Sequence, residues 1–229
     1  MIKLNKKIKF KIAVDGSSAS GKTTGAKLIA KRFKMKFLSS GALYRYCALK
    51  ILENNNKYSV KFINKVSKSI TLIKLNNKKL YSPQVAKLSS IIAKKPLVRK
   101  ALKSFQKNLI KNSRLVVIEG RDIGSKIMVF ADLKLFFKCS VKKKAKRRLK
   151  DFKNQNNKIT LEQVKKALIQ RDKDDTKRKI SPLIMTKDSV LVDTTKLNMK
   201  QMEVKLINLV KNSIKKKIWK YIKEHQSLH

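Results

Sequence analysis

Glycine, proline, cysteine and acid are all scarce in this chain of 229 residues: it has 6 Gly, 3 Pro, 2 Cys and 1 Trp, and 14 Asp plus Glu stand against 59 Lys plus Arg. Two distant cysteines, Cys47 and Cys139, both among apolar neighbours, argue against a disulfide framework or a zinc site and fit a reducing cytoplasm. No apolar run approaches the roughly 20 residues that span a bilayer. The basic start, Met1 to Lys11, passes through a short apolar stretch into Asp15 and Gly16, which reads as a first strand and not a signal peptide. A hydrophobic fraction of 42% supports a sizeable core, and the length suits one α/β domain carrying inserted lobes.

The formal net charge of +45 invites a nucleic-acid reading. The kind of base argues otherwise, because only 9 of the 59 basic residues are Arg and 50 are Lys. Ile (22) and Asn (15) are also abundant while Gly is rare. Lys, Asn and Ile share A/T-rich codons, so compositional drift of a solvated surface accounts for the charge. A dedicated nucleic-acid surface would add Arg forks and stacking aromatics. Weak, salt-sensitive adhesion to polyanions is still expected. In such a chain, the places where Arg and Gly persist are the places where Lys or Ser would not serve.

The hydrophobic pattern alternates strands and helices. Lys9–Val14 reads as a first strand, and Gly21 to Lys34 has helical spacing through Ala26, Ile29, Ala30 and Phe33. Strand Lys36–Ser39 leads into a helix from Ser40 through Leu52, broken at Asn54-Asn55-Asn56. A short helix at Val60–Lys68 is followed by Ile70–Leu75 and Lys78–Tyr81, expected to pair as a hairpin with Asn76-Asn77 in its turn. Pro83 and Pro96 each open a helix, the second running to about Lys111. Leu115–Ile118 and Leu133–Phe137 are continuous apolar runs, the signature of parallel strands buried on two faces. A basic helix at Val141–Lys153, a polar loop at Asn154–Asn157, and a helix from a Thr160 cap to about Arg178 come next. A last strand at Ser189–Asp193 and a helix from about Met199 to Ile222 complete the chain, with no internal repeat. This order predicts a doubly wound parallel sheet with helices on both faces.

Gly16-Ser17-Ser18-Ala19-Ser20-Gly21-Lys22-Thr23 fits the phosphate-loop pattern G-x-x-x-x-G-K-[ST] in full, between a predicted strand and a predicted helix. Backbone N–H groups of such a loop turn inward toward phosphate oxygens, and glycine at both ends permits the curl. The reading makes Gly16, Ser17, Ser18, Ala19, Ser20, Gly21, Lys22, Thr23 and Thr24 the ATP-binding set. Lys22 reaches the terminal phosphates and the Thr23 hydroxyl is the candidate Mg²⁺ ligand. The loop alone does not separate kinases from other nucleotide hydrolases; the acceptor site must do that.

Seven of the nine arginines fall in short motifs: Arg45, Arg99, Arg121, Arg147, Arg148, Arg171 and Arg178. Five of the six glycines do too: Gly16, Gly21, Gly41, Gly120 and Gly124. Arginine binds phosphate and base edges as a planar fork, which lysine cannot copy. Ser40-Gly41-Ala42-Leu43-Tyr44-Arg45 opens a helix, whose N-terminus attracts anions. Glu119-Gly120-Arg121-Asp122 follows a strand at its carboxyl end, where open α/β sheets place ligands. Arg171, Asp175 and Arg178 are spaced to share one helix face, as an exposed ion-pair stripe would also be.

At these motifs the chain resembles the bacterial cytidylate kinases, nucleoside monophosphate kinases of the P-loop class. The resemblance runs from about Ile12 to Asp193 and is carried by DGSSASGKTT, SSGALYR, SPQVAKLSS with PLVR, EGRDIG, ADLKLFF, KAKRRL, QRDKDDTKRKISPL and LVDTT in that order. It implies that Ser40, Arg45 and Arg121 hold the acceptor phosphate, with Gly41 and Tyr44 beside them. It also implies that Ser90, Arg99, Asp122 and Arg178 frame the cytosine, and that Arg171 and Asp175 contact the sugar. Arg147 and Arg148 would belong to a lid over the ATP phosphates and act with Lys22 and Arg121 in catalysis. The implied layout is a single P-loop kinase domain: core at about 8–54, 96–142 and 158–229, acceptor-binding insert at about 55–95, lid at about 143–157. Three departures stand out: Ser39 where Asp is usual, a shortened insert, and Lys143-Lys144-Ala145 in place of Glu-Arg-Ala.

The expected reaction is transfer of the ATP γ-phosphoryl group to CMP or dCMP with Mg²⁺, in a cytoplasmic monomer without membrane or specific nucleic-acid partner. Both histidines, His225 and His229, lie in the tail and are poor acid–base candidates. Two rivals stay open on the residues alone. One is a kinase for UMP, AMP or a non-nucleotide acceptor. The other is a P-loop nucleic-acid-binding protein, for which Lys215-Lys216-Lys217 with Trp219 and Tyr221 is the stretch to inspect.

Overall fold

The computed structural model describes residues 8–153 and 159–226; residues 1–7, the polar loop at Asn154–Asn157, His229 and the side chain of His225 lie outside the described residues. Five strands, β1 (Phe10–Gly16), β2 (Lys36–Ser39), β3 (Leu115–Gly120), β4 (Leu133–Lys138) and β5 (Ser189–Asp193), form one parallel sheet in the order β2-β3-β1-β4-β5. The connecting helices are α1 (Lys22–Phe33), α2 (Ser40–Glu53), α3 (Val60–Lys68), α4 (Pro83–Ile92), α5 (Pro96–Lys111), α6 (Val141–Lys153), α7 (Leu161–Lys177) and α8 (Met199–Gln226). The predicted doubly wound sheet is therefore present, with boundaries within a few residues of those read from the periodicity.

Side chains alternate across each buried strand. Ile12 and Val14 of β1, with Leu115 and Val117 of β3, face α1 and the Met202, Leu206, Val210 and Ile214 stripe of α8. Ala13, Val116 and Ile118 face the other way, into a larger cluster built with α2, α3, α4 and α5. Both faces are thus apolar, which is why the strands read as unbroken hydrophobic runs. A third cluster is small: Ala145 of α6 meets Val164 and Leu168 of α7. Among the described residues no helix is long and apolar enough to cross a membrane.

The expected hairpin at Ile70–Tyr81 is not formed. Two short helical turns, Lys74–Asn76 and Lys78–Tyr81, take its place. The two-residue turn that an Asn pair favours, type I′, needs positive φ at both central positions, and the alternative type II′ wants glycine at the first. Asn77 instead has φ −68°, and its side chain accepts the Lys79 N–H at 2.9 Å, capping the second turn. Leu75 and Leu80 are then buried against α2 and its neighbours, so tertiary burial favours the helical turns over strand pairing.

The sheet sets the site. Asp15 of β1 lies level with Gly120 of β3, so the loops that follow these adjacent parallel strands emerge side by side at their carboxyl ends. One is the phosphate loop and the other carries Arg121 and Asp122. Open α/β sheets bind ligands at such a point.

Candidate active site

The phosphate loop is held from several sides. Gly16 has φ 151°, and a Cβ there would lie 2.4 Å from the Phe137 carbonyl oxygen of β4, so no other residue fits. Gly21 (φ 90°) and Ala19 (φ 55°) supply the left-handed turns that curl the loop ahead of α1. The Ser20 hydroxyl donates to the Ser17 carbonyl at 2.9 Å, and Thr194 Oγ1, just past β5, donates to the Ser20 carbonyl at 2.8 Å. Lys22 is buried with its Nζ 3.3 Å from the Ser17 carbonyl and 3.8 Å from Glu119 Oε2. Burial pulls the Lys22 ammonium down to about 7, with the Arg121 charge adding to the effect and Glu119 opposing it. An anion arriving at Lys22 would restore its proton affinity.

Beside this loop is a cleft lined by Lys22, Thr23 and residues of α2, α4, the turn after β3, and α7. All eleven acceptor-side residues expected from the sequence line it: Ser40, Gly41, Tyr44, Arg45, Ser90, Arg99, Arg121, Asp122, Arg171, Asp175 and Arg178. The stripe on α7 is therefore not a solvated ion-pair face.

The arginines are oriented by acids, carbonyls and rings. Arg121 Nε donates to Asp175 Oδ2 at 2.7 Å and its Nη2 to Ser18 Oγ at 2.9 Å, so one guanidinium bridges the phosphate loop and α7. Arg99 pairs with Asp122, donates to the Ala93 carbonyl at 3.1 Å and lies over the Tyr44 ring. Arg178 stands 3.5 Å from Asp175 Oδ1 and 4.0 Å from Asp122 Oδ1, and donates to the Ser181 carbonyl at 2.6 Å. Arg45 donates to the Leu80 carbonyl at 3.0 Å and stacks on Tyr81, which ties the short turn before α4 to the cleft. Burial would raise the Asp175 carboxyl, but the charges of Arg121, Arg178 and Arg171 outweigh it and hold Asp175 below the usual carboxylate range. Burial also lowers Arg171, to about 10, with Arg121 crowding it further. A cleft that depresses its own cations has an electrostatic demand for anions.

Residues 12–212 match the family model of cytidylate kinase. The chain is 35% identical over 214 residues to a cytidylate kinase of Thermosipho melanesiensis, covering 90% of this chain and 98% of that protein. It is 36% identical to one of Mycoplasmoides gallisepticum, covering 89% and 94%. The chain belongs to the cytidylate kinase family. Its fold is also similar to the crystal structure of an uncharacterized protein from Eubacterium ventriosum, with TM-score 0.52 and 13% identity over 87% of this chain and 97% of that one.

As a cytidylate kinase family member, the chain uses its departures in definite ways. Ser39 caps α2 by accepting the Ala42 N–H at 3.3 Å and donates its hydroxyl to Glu119. An Asp there would set like charges against each other. Lys144 of α6 is buried and paired with Asp172. Of the two expected lid arginines, Arg147 donates to Thr194 Oγ1 at 3.2 Å and to the Thr194 carbonyl at 3.1 Å, on the outer flank of the loop near Gly21. Arg148 is half-buried on the same helix, and its charge adds to the lowering of Arg45 and Arg171. Neither is among the cleft-lining residues.

Several site residues were passed over in the sequence. Glu119, Asp174, Tyr81, Ser89 and Lys94 line the cleft, and Lys94 pairs with Asp174 at 3.4 Å across its rim. Asp15 is buried and accepts the Ile123 and Gly124 N–H groups at 2.9 and 2.7 Å, pinning the turn that carries Arg121 and Asp122. Burial pushes the Asp15 carboxyl up to about 6 despite those two bonds. The missed signal was rarity of the opposite charge. Of 14 acids in the chain, Asp15, Glu119, Asp122, Asp172, Asp174 and Asp175 all gather here.

Proposed function

We propose that this protein transfers the γ-phosphoryl group of ATP to CMP or dCMP, giving CDP or dCDP and ADP. The observation that carries this reading is the convergence of Arg45, Arg99, Arg121, Arg171 and Arg178 on one cleft that also contains Lys22. Family membership supplies the acceptor class. Ser40, Arg45 and Arg121 hold the acceptor phosphate, Arg171 and Asp175 the sugar, and Tyr44, Ser90, Arg99, Asp122 and Arg178 the base. The Asp122 carboxylate suits cytosine because it accepts a hydrogen bond from the exocyclic amine and repels a uracil carbonyl.

An oxygen of the acceptor phosphate attacks the γ-phosphorus as the bond to the β–γ bridging oxygen breaks, and ADP leaves. The acceptor is already anionic, so no general base is needed. Positioning and charge neutralisation supply the catalysis. Arg121 spans Ser18 and Asp175 and so faces both donor and acceptor phosphates. Lys22 offsets charge on the leaving side, and Arg147 and Arg148 would join it only when α6 moves in over the donor.

Mg²⁺ accompanies the ATP. Among the described residues no three His, Cys, Asp or Glu side chains gather as a metal cage. Thr23 and Glu119 line the cleft, a donor set that fits an ion bound chiefly through phosphates and water. When bound it supplies further charge neutralisation for the phosphates. The test is a turnover assay of the purified protein with ATP across CMP, dCMP, UMP and AMP. Faster turnover with CMP or dCMP is expected, and a preference for AMP or a non-nucleotide acid would defeat the reading.

A further inference from the structure

One buried ion pair stands beside the phosphate loop and has no part in the roles above. Asp172 lies on α7 next to Arg171. Its Oδ1 accepts the Ser18 N–H at 3.0 Å, a backbone group in the middle of the loop. Its Oδ2 pairs with Lys144 Nζ, which also reaches Ser17 Oγ at 3.4 Å. The Lys144 side chain is 4% exposed and that of Asp172 20%. A lysine so buried on an otherwise solvated, strongly basic helix is unusual and requires a partner.

The two residues do opposite electrostatic things. A carboxylate hydrogen-bonded to a phosphate-loop amide fixes that amide, but it also projects negative charge toward the site where a triphosphate must sit. The ammonium cancels that charge. We propose that Asp172 and Lys144 are positioning residues for ATP: Asp172 holds the Ser17–Ser18 segment in its phosphate-ready form, and Lys144 neutralises Asp172 so that it does not repel the nucleotide.

This inference rests on the loop being the ATP site, as proposed above, but not on the identity of the acceptor. Binding is therefore read by calorimetric titration of the full chain with a non-hydrolysable ATP analogue and, separately, with CMP. Lys144→Met leaves a carboxylate uncompensated and should weaken analogue binding at least ~10-fold. Asp172→Asn keeps an amide oxygen for the Ser18 N–H and should cost only about 3-fold. The double variant should bind within about 3-fold of Asp172→Asn alone, so the second substitution rescues the first. CMP affinity should stay within about 2-fold throughout, a donor-specific pattern that a general packing defect would not give. Lys144→Arg, which keeps the charge, should remain near the parent affinity.

Analogue binding by Lys144→Met within twofold of the parent, or a double variant no tighter than Lys144→Met, overturns the proposal. Should Lys144→Met not fold, Asp172→Ala decides: an analogue affinity within twofold of the parent overturns it, and a larger loss with CMP binding intact upholds it. Loss of CMP turnover in the parent protein would count against the acceptor assignment and leave these binding outcomes to stand on their own.

Discussion

The acceptor wall and the α6–α7 flank of the phosphate loop are built differently. The wall stands on the larger of the two sheet-face cores: α2 and α4 bury Leu43, Cys47, Ile51, Val85 and Ile92, with Ile63 and Leu80 beneath the short insert. Four of its arginines, Arg45, Arg99, Arg121 and Arg178, are fixed by an acid, a carbonyl or a ring. Among the described residues the α6–α7 flank buries Ala145, Val164 and Leu168, with Leu149, Ile159 and Leu161 packed beside them; it meets the loop at Ala19 and through polar pairs. Apolar packing gives a rigid wall, whereas a flank held by hydrogen bonds can shift without tearing a core. On the proposed reading the α2–α4 side of the cleft is the pre-shaped one, while α7 both supplies Arg171 and Asp175 to the cleft and carries the polar contacts to the loop.

Substitutions that spoil the wall's guanidinium geometry should show the largest losses. Arg121→Lys removes the fork that reaches both Ser18 and Asp175, and one ammonium cannot span them. Turnover should fall by about 10²–10³-fold, measured as kcat with saturating ATP and CMP. A near-native rate would mean that the wall needs charge and not shape. Asp122→Asn comes next. It weakens the pairing with Arg99 and removes the acceptor proposed for cytosine, so kcat/KM for CMP should drop about 10²-fold while that for UMP changes much less. Equal losses for both acceptors would remove Asp122 from base reading.

Asp15 tests how the wall is anchored to the sheet. Its folded pKa of about 6 lies above the ordinary 3.8, so the fold prefers the neutral acid. That preference stabilises the protein fully below the unfolded value and is lost as pH rises through the folded one. Between pH 4 and pH 7 the contribution lost is about 2 kcal/mol. Asp15→Asn cannot titrate. Urea unfolding of both proteins at the two pH values should show the parent's stability falling relative to the variant's by that amount. A constant difference would show that the turn carrying Arg121 and Asp122 is insensitive to this carboxyl.

Those anchors explain what the sequence could and could not convey. Helices α3, α4 and α5 were legible because their starts are written locally, in Ser59, Ser82 and the prolines at 83 and 96. The cleft arginines were legible because the chain uses so few. The wide helical turn at Ile123–Ile127 was not, since the Asp15 carboxylate that pins its first residues lies 108 positions away. The Asn76-Asn77 pair misled for a related reason: it has hairpin chemistry, but burial of Leu75 and Leu80 chose helical turns. The acids of the cleft left a signal, their scarcity, that matters only beside the arginine clustering. Lys144 showed only as part of the Lys143-Lys144-Ala145 departure, because which of the two lysines is buried cannot be told without the fold.

The smallest effect should come from the far end of α7. Thr160 caps that helix by accepting the Gln163 N–H at 3.2 Å, and Gln163 returns a bond to the Thr160 N–H at 2.9 Å. Both residues are exposed and distant in sequence from Arg171 and Asp175. Thr160→Ala should therefore cost about 1 kcal/mol of stability, seen as a Tm lower by about 2–4 °C in a chain of this size. KM for CMP should stay within about twofold, because the C-terminal half of α7 is held by its own ion pairs to Arg121 and Arg178. If the acceptor KM rose with the loss of the cap, the two regions would share one cooperative unit, and the contrast between a rigid wall and an independent flank would have to be given up.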